Sequence, residues 1–404
     1  MNLSEELSWR GFVNQTTFKE LSLLDNQPIS FYWGVDPSAD SMTIGNLAAA
    51  MMVRHFIDYG HKAYLLVGGA TGLVGDPDGK ADERSLKALD EIAHNKQAIA
   101  AQYSQVFAGK EFTLVDNYDW FKDINYIDFL RMIGKHVPIS QMLGRDFVQS
   151  RIGEDGSGIS YAEFSYSLIQ GYDFLHLSRE FGVTLQVCGA DQWGNSIAGV
   201  DLIRRLDAKE AHVYSTPLII NKATGVKFGK SEGGAVWLDS TKTSVYAFYQ
   251  FWLNLDDDSV PDLLKIYTLL DKDEIERLSA QIAENPAKRE AQKALAHAVT
   301  VIVHGADRAA SVERVTDVLF GLADFSTLQR DDLEILAREI PTVSVGKTVI
   351  DALVEANLAY SNGEAKRLIF SGAVSINGQK VRDDQSVIST SLIKKGKNSF
   401  ILVR

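Results

Sequence analysis

The chain reads as an α/β protein built on a parallel sheet, followed by an α-helical domain and a small α+β domain. Three observations lead there. Between residues 30 and 80, apolar strand-like runs alternate with a helical pattern. From about residue 242 to 325 strand signals vanish, and Ala- and Leu-rich helical stretches with acidic starts take over, as in Asp271-Lys272-Asp273-Glu274-Ile275. Residues 343–404 return to short mixed elements around an Asn377-Gly378 turn. A chain of 404 residues exceeds one small core. It divides into residues 1–241, a helical domain over 242–325, a linker over 326–342 with Pro341 near its end, and a module over 343–404.

The elements follow in order. Ile29-Ser30-Phe31-Tyr32-Trp33 reads as a buried strand ending at Gly34, and a loop follows over Asp36-Pro37-Ser38-Ala39-Asp40-Ser41. Gly45 to Tyr59 reads as a helix with Leu47, Met51, Val53 and Phe56 inward. His61 to Gly68 is a second strand, closed by Gly68-Gly69. Residues 115–160 read as an insertion, with Ile124 to Ile133 amphipathic and Val137-Pro138 breaking the pattern. Val183 to Cys188 is a third strand, leading to a helix from about Asn195 to Leu206. This alternation predicts ligands at the carboxyl ends of the strands.

Composition narrows the function. The single cysteine, Cys188, excludes an internal disulfide and a Cys-based zinc site, and the eight histidines form no pair at metal-ligand spacing, so no metal centre is expected. The first residues are acidic and polar, and no apolar run approaches the roughly 20 residues of a membrane span. A reducing cytoplasm is the expected compartment. A net charge of −12 argues against coating nucleic acid by bulk charge. Yet residues 343–404 hold nine basic against five acidic side chains, a surplus of four that leaves the rest of the chain at −16. A basic module on an acidic body points to a polyanion partner.

Six stretches carry chemistry, five of them before the C-terminal module. The first, Lys227-Phe228-Gly229-Lys230-Ser231-Glu232-Gly233-Gly234, sets two lysines and a hydroxyl in a glycine-rich loop, within 227–239, suited to covering a triphosphate. The second, Asp36 to Leu47, places Ser38, Thr43, Gly45 and Asn46 between a strand and a helix N-terminus, where free amides and the helix dipole favour phosphate. The third, Gly68 to Lys80 with Arg84, is glycine-rich backbone carrying Asp76, whose carboxylate can hold an ammonium. Its glycines fit neither the dinucleotide fingerprint nor the P-loop. The fourth is the face formed by Tyr166, Gln170 and Asp173 at i, i+4 and i+7, a polar stripe through an otherwise apolar helix. The fifth, Gln186 to Asn195, ends a strand with Cys188, Asp191 and Gln192; no basic neighbour activates Cys188, which reads as packing. In the C-terminal module, Ser361 to Val381 joins a basic helix to an Asn-Gly hairpin, with Lys366, Arg367 and Lys380 as phosphate contacts.

Lys227-Phe228-Gly229-Lys230-Ser231 resembles the signature loop of class I aminoacyl-tRNA synthetases in its bacterial tyrosyl form. The Gly-Gly-Ala-Thr-Gly…Gly-Asp-Pro run at 68–77 is similar to that family too, and 361–381 resembles the S4 RNA-binding module. The His-Ile-Gly-His signature is altered to Thr43-Ile44-Gly45-Asn46, and Ser38 stands where Thr is common.

The resemblance implies a Rossmann-like catalytic domain, a helical anticodon-side domain and an S4-like tail. It implies ATP-dependent activation of tyrosine, with Mg²⁺, then transfer to tRNA(Tyr). Lys227, Lys230, Ser231, Thr43 and Ser38 would be catalytic. Tyr32 and Asp173 would meet the phenol hydroxyl. Asp76, Tyr166 and Gln170 would meet the ammonium, and Gln192 the reacting carboxylate. Asp36, Gly45, Asn46, Asp191 and Lys230 would bind ATP. A homodimer is implied, with 115–160 as its interface. Two other readings use the same residues: a synthetase for another aromatic amino acid, and an RNA-binding paralogue that has lost adenylation.

Overall fold

The computed structural model describes residues 1–77, 87–144, 146–152, 158–220, 225, 228–231 and 234–404. Its contacts divide the chain into two compact units, residues 1–243 with 255–299, and residues 244–254 with 300–404.

The first unit is organised by a six-stranded sheet. Its strands are β1 (Gln15–Thr16), β2 (Ser30–Val35), β3 (Lys62–Val67), β4 (Thr113–Asp116), β5 (Leu185–Gly189) and β6 (His212–Thr216), in the order β1-β6-β5-β2-β3-β4. All pairs are parallel except β1 on β6. The central strands are buried apolar runs, as a sheet covered on both faces requires. From β2 the chain moves outward through β3 to β4, then returns to add β5 and β6 on the other side. The strand order therefore reverses between β2 and β5, and a crevice opens at their carboxyl ends.

The 115–160 stretch begins inside β4, the edge of the sheet, and the short helix expected at Ile124–Ile133 spans Tyr126–Met132 with no buried residue. Among the longer helices, Tyr161–Phe181 is capped at its start by Ser160, and Gly182 ends it in the left-handed region.

Residues near position 10 are bound to a distant segment. The Arg10 guanidinium donates to Glu6 and to the carbonyls of Lys265, Thr268 and Leu270, at 2.7, 3.0 and 2.7 Å for the three carbonyls. His55 is buried in contact with the Phe12 ring, its Nε2 without a partner. Burial, reinforced by Arg10 and Arg54, lowers its pKa to about 3. Between its ordinary value near 6.5 and about 3, the unfolded chain binds a proton that the folded one refuses. Stability therefore falls as pH drops through that window, by at most about 1.4 kcal/mol per pH unit from this residue. A His55→Phe variant should lose less stability between pH 6.5 and 4 than the parent in denaturant titrations; equal losses would show that His55 carries no such load.

The second unit joins helices to a five-stranded sheet of β9 (Thr342–Val343), β10 (Val374–Ile376), β11 (Gln379–Lys380), β12 (Ser391–Lys395) and β13 (Ser399–Val403), ordered β11-β10-β12-β13-β9. Asn377 and Gly378 both take positive φ, 46° and 84°, which makes the β10–β11 connection the tight hairpin turn that the Asn-Gly pair predicts. Val349, Leu353, Ala365, Ile393 and Ile401 form its core. The stretch expected as a linker holds a helix instead, Arg330–Glu339, with Leu336 fully buried against Val315, Leu319 and Leu402. Its single apolar stripe is short, and its buried Asp332 is held by Arg314 at 2.8 and 2.9 Å.

Candidate active site

The crevice between β2 and β5 holds a cavity of about 430 Å³. The sequence-predicted Tyr32, Asp36, Ser38, Thr43, Gly45, Asn46, Asp76, Tyr166, Gln170, Asp173, Asp191 and Gln192 all line it, together with Cys188 and Gln186. Residues separated by more than 150 positions are thus gathered at one switch point of the sheet.

One end of the cavity is built from the 161–181 helix. Asp173 is 2% exposed, and its two oxygens accept from Trp120 Nε1 at 2.9 Å and Asn117 Nδ2 at 3.1 Å. Burial still pushes its carboxyl well above the usual range, against the pull of those two donors. Tyr32 is equally buried; its hydroxyl has no partner, and burial and the Asp173 charge raise its pKa well above normal. Gln170 Oε1 and Gln186 Oε1 are also buried and unpartnered. Unsatisfied polar atoms of this kind cost about 1–3 kcal/mol each until something binds them.

The middle of the cavity is a hydrogen-bonded carboxylate cluster. Tyr166 donates to Asp36 Oδ2 at 2.7 Å and Thr71 to Asp36 Oδ1 at 2.6 Å. Asn117 ties this group to Asp173 by donating to Thr71 Oγ1 at 3.0 Å. Gly68 permits the approach: a Cβ there would stand 2.2 Å from both Asp36 Oδ1 and Thr71 Oγ1. Gln192 donates to Asp76 Oδ2 at 2.5 Å and accepts from Asn195 at 3.1 Å, so the loop after β5 and the glycine-rich loop after β3 meet.

The other end is the N-terminus of the Ile44–Asp58 helix. Asn46 Oδ1 accepts from the Thr43 backbone at 3.0 Å and from the Thr43 hydroxyl at 3.1 Å. With its oxygen committed, Asn46 has only amide N–H groups left to offer the cavity. The 228–239 segment is stitched to this helix: Thr43 pairs with Trp237, the Ile44 amide donates to Val236 O at 3.1 Å, and the Leu238 amide to Met42 O at 2.9 Å. Phe228 and Gly229 line the cavity, and Lys230–Ser231 pairs with Gly234–Ala235 as a two-stranded ribbon. Gly229 sits at φ +84°, where a Cβ would stand 2.4 Å from Ile44 Cγ1. Lys227, Lys80 and Arg84 lie outside the described residues.

Cys188 is buried, with the Ser196 hydroxyl 3.5 Å from its sulfur, and burial pushes its thiol up to about 12. An un-ionised thiol of this kind is packing, as expected. Lys366, Arg367 and Lys380 are elsewhere, all exposed on the C-terminal module; the first two sit on the Asn362–Phe370 helix and the third on β11. Asn117, Trp120 and Thr71 were not singled out from the sequence. Asn117 and Trp120 follow an edge strand too short to announce itself, and nothing local marks their distant partner.

Comparison with known proteins bears on these residues together. Residues 24–321 match the family of class I tRNA synthetases for tryptophan and tyrosine (W and Y), and residues 332–404 match the tyrosine--tRNA ligase SYY-like C-terminal domain. The chain is 42% identical over 422 residues to tyrosine--tRNA ligase 2 of Bacillus cereus, covering all of this chain and 99% of that one. It is 43% identical over 415 residues to the tyrosine--tRNA ligase of Lactiplantibacillus plantarum, covering all of this chain and 97% of that one. Among solved structures, a C-terminally truncated mitochondrial tyrosyl-tRNA synthetase of Aspergillus nidulans superposes with a TM-score of 0.72 at 29% identity, covering 79% of this chain and 94% of that one.

Proposed function

We propose a course for the reaction from one premise: the chain belongs to the class I tRNA synthetases of the tryptophan and tyrosine type, and it joins tyrosine to tRNA at the expense of ATP. The observation that carries the residue-level reading is the pair at the closed end of the cavity. Tyr32 Oη is buried without a partner, beside an Asp173 carboxylate whose charge burial opposes. A phenol hydroxyl satisfies both at once, donating to Asp173 and accepting from Tyr32. Phenylalanine leaves the Tyr32 hydroxyl unpartnered and gives the buried Asp173 no further donor, and tryptophan brings one donor and no acceptor.

The amino acid then lies with its ammonium among Tyr166, Gln170 and Asp76, and with its carboxylate at Gln192. ATP enters from the helix end. Gly45 leaves room above the helix amides, Asn46 donates its amide, Asp191 takes the ribose hydroxyls, and Asp36 braces the junction through Tyr166. Mg²⁺ arrives as part of the ATP substrate. The tyrosine carboxylate attacks the α-phosphate in line; the bond to the bridging oxygen breaks and pyrophosphate leaves. No side chain is a nucleophile. Ser38, Thr43, Lys227, Lys230 and Ser231 stabilise the growing charge on the leaving group. The terminal ribose hydroxyl of tRNA(Tyr) then takes the tyrosyl group from the adenylate, releasing AMP.

The C-terminal module, read as S4-like, holds the tRNA backbone through Lys366, Arg367 and Lys380, whose exposed charges suit phosphate. Homodimer formation through 115–160 is supported by its exposed apolar side chains, among them Tyr126, Ile127 and Ile139, 58%, 60% and 65% exposed. A cytoplasmic location suits the tRNA substrate.

Amino-acid-dependent ATP–pyrophosphate exchange tests the reading. Exchange is expected with tyrosine and not with phenylalanine or tryptophan. Exchange with all three would overturn the Tyr32–Asp173 assignment. A Thr43→His variant exchanging more than 100-fold faster would show that Thr43 does not serve in place of histidine.

A further inference from the structure

A second cavity of about 440 Å³ lies in the same unit, behind one wall of the active cavity. Pro217, Leu218, Ile219 and Phe228 face both spaces. The remaining lining comes from residues 9–11, Ile220, Ser259 and the helix Val260–Tyr267. The walls are largely apolar, with Ile219, Leu263, Ile266 and Phe228 prominent.

Its cations cluster on one ring. Three cations gather on the Trp9 ring: Arg10, Lys265 and Lys272, at 5.3, 5.5 and 6.0 Å from its centroid. Arg10 is consumed by Glu6 and three carbonyls, and Lys272 lies 3.6 Å from Glu276. Lys265 is different. Among the described residues no carboxylate lies within ion-pair distance of it, although it lines the cavity. Asp262, which also lines the cavity, is already engaged. An indole holding an uncompensated ammonium over an apolar cavity presents a hydrophobic floor and a positive rim.

We propose that this cavity is a second ligand site, for a small planar aromatic anion. The ring lies against Ile219 and Phe228, and the anionic group meets Lys265. Because Phe228 directly precedes Gly229 and its amide is pinned to Ile219 O at 2.8 Å, an occupant presses on the wall that carries the 228–239 segment. Occupancy therefore acts on adenylate formation and leaves the tyrosine end of the active cavity untouched.

The probe is 8-anilinonaphthalene-1-sulfonate, read by fluorescence on the full chain, with thermal melts of each variant to confirm folding. One saturable site is expected, retained with tyrosine and ATP both saturating. Lys265→Glu should weaken it at least tenfold, and Lys265→Ala several-fold. In pyrophosphate exchange, the bound probe should lower kcat several-fold with an unchanged KM for tyrosine, and Lys265→Glu should abolish that effect. Displacement of the probe by tyrosine, or affinity equal in parent and both Lys265 variants, overturns the proposal. These readouts do not depend on the roles given to Tyr32 or Asp173, so a failed pocket assignment and a failed second site remain distinguishable.

Discussion

Asp173→Ala is expected to cut kcat/KM for tyrosine activation by about 10- to 100-fold, from the loss of roughly 1.5–3 kcal/mol of charge-assisted hydrogen bonding. The tyrosine-to-phenylalanine ratio should shrink by a similar factor, because phenylalanine never used the carboxylate. Asp173→Asn should be no milder despite its matching shape. Trp120 and Asn117 each donate to one Asp173 oxygen. An amide at 173 would set an N–H group against one of these donors. Asn117 cannot simply turn its amide over, since its own oxygen accepts from the Ala70 amide at 2.6 Å. Competition between the two amino acids in pyrophosphate exchange measures both ratios. Unchanged discrimination in either variant would remove Asp173 from the phenol site.

The second large effect is expected at Gly229. Substitution by valine meets two penalties. The left-handed backbone costs roughly 1–2 kcal/mol for a residue bearing a Cβ. That Cβ would also stand 2.4 Å from Cγ1 and 2.8 Å from Cδ1 of Ile44, which is fully buried at the base of the phosphate-facing helix. The 228–239 segment must lift away from Thr43, or the helix must shift. Either outcome separates the lysine loop from the helix N-terminus. Gly229→Val should reduce kcat for exchange by about 100-fold while KM for tyrosine changes less than threefold, since about 2.7 kcal/mol corresponds to that loss. Steady-state kinetics in both substrates checks this. A near-normal kcat would mean that the docked geometry is not the reactive one.

Much of the site was legible because its residues sit at element ends, where local signals are strongest. Strand, glycine and helix start announce Asp36, Thr43 and Asn46. The i, i+4, i+7 spacing announces Tyr166, Gln170 and Asp173, and all three line the cavity as that spacing implies. What stayed hidden was what other elements supply. Thr113–Asp116 is four residues, none fully buried, and offers no hydrophobic run to mark an edge strand. Asn117 and Trp120, which follow it, act on a carboxylate 56 and 53 residues away. Residues 330–339, inside the stretch expected as linker, form a helix whose residues are mostly polar. Its buried face is completed by side chains such as Val315 and Leu402 that no local window contains. His212–Thr216 ends in Ser215 and Thr216 yet is largely buried, as an interior strand between β1 and β5.

The Arg10 contacts also constrain the order in which the chain can mature on the ribosome. The carbonyls that hold this guanidinium are made 255 to 260 residues later, and β1 must wait about 200 residues for β6. At roughly 5–20 residues per second of translation, Arg10 stays without its carbonyl partners for about 13 to 50 s. The helix Leu3–Arg10 packs on residues 21–25 and on the Ile44–Asp58 helix, both made early, and the Val260–Tyr267 helix completes its cover. Until then the Arg10 end of this helix lacks its carbonyl partners, and their arrival is a late step that completes the first unit.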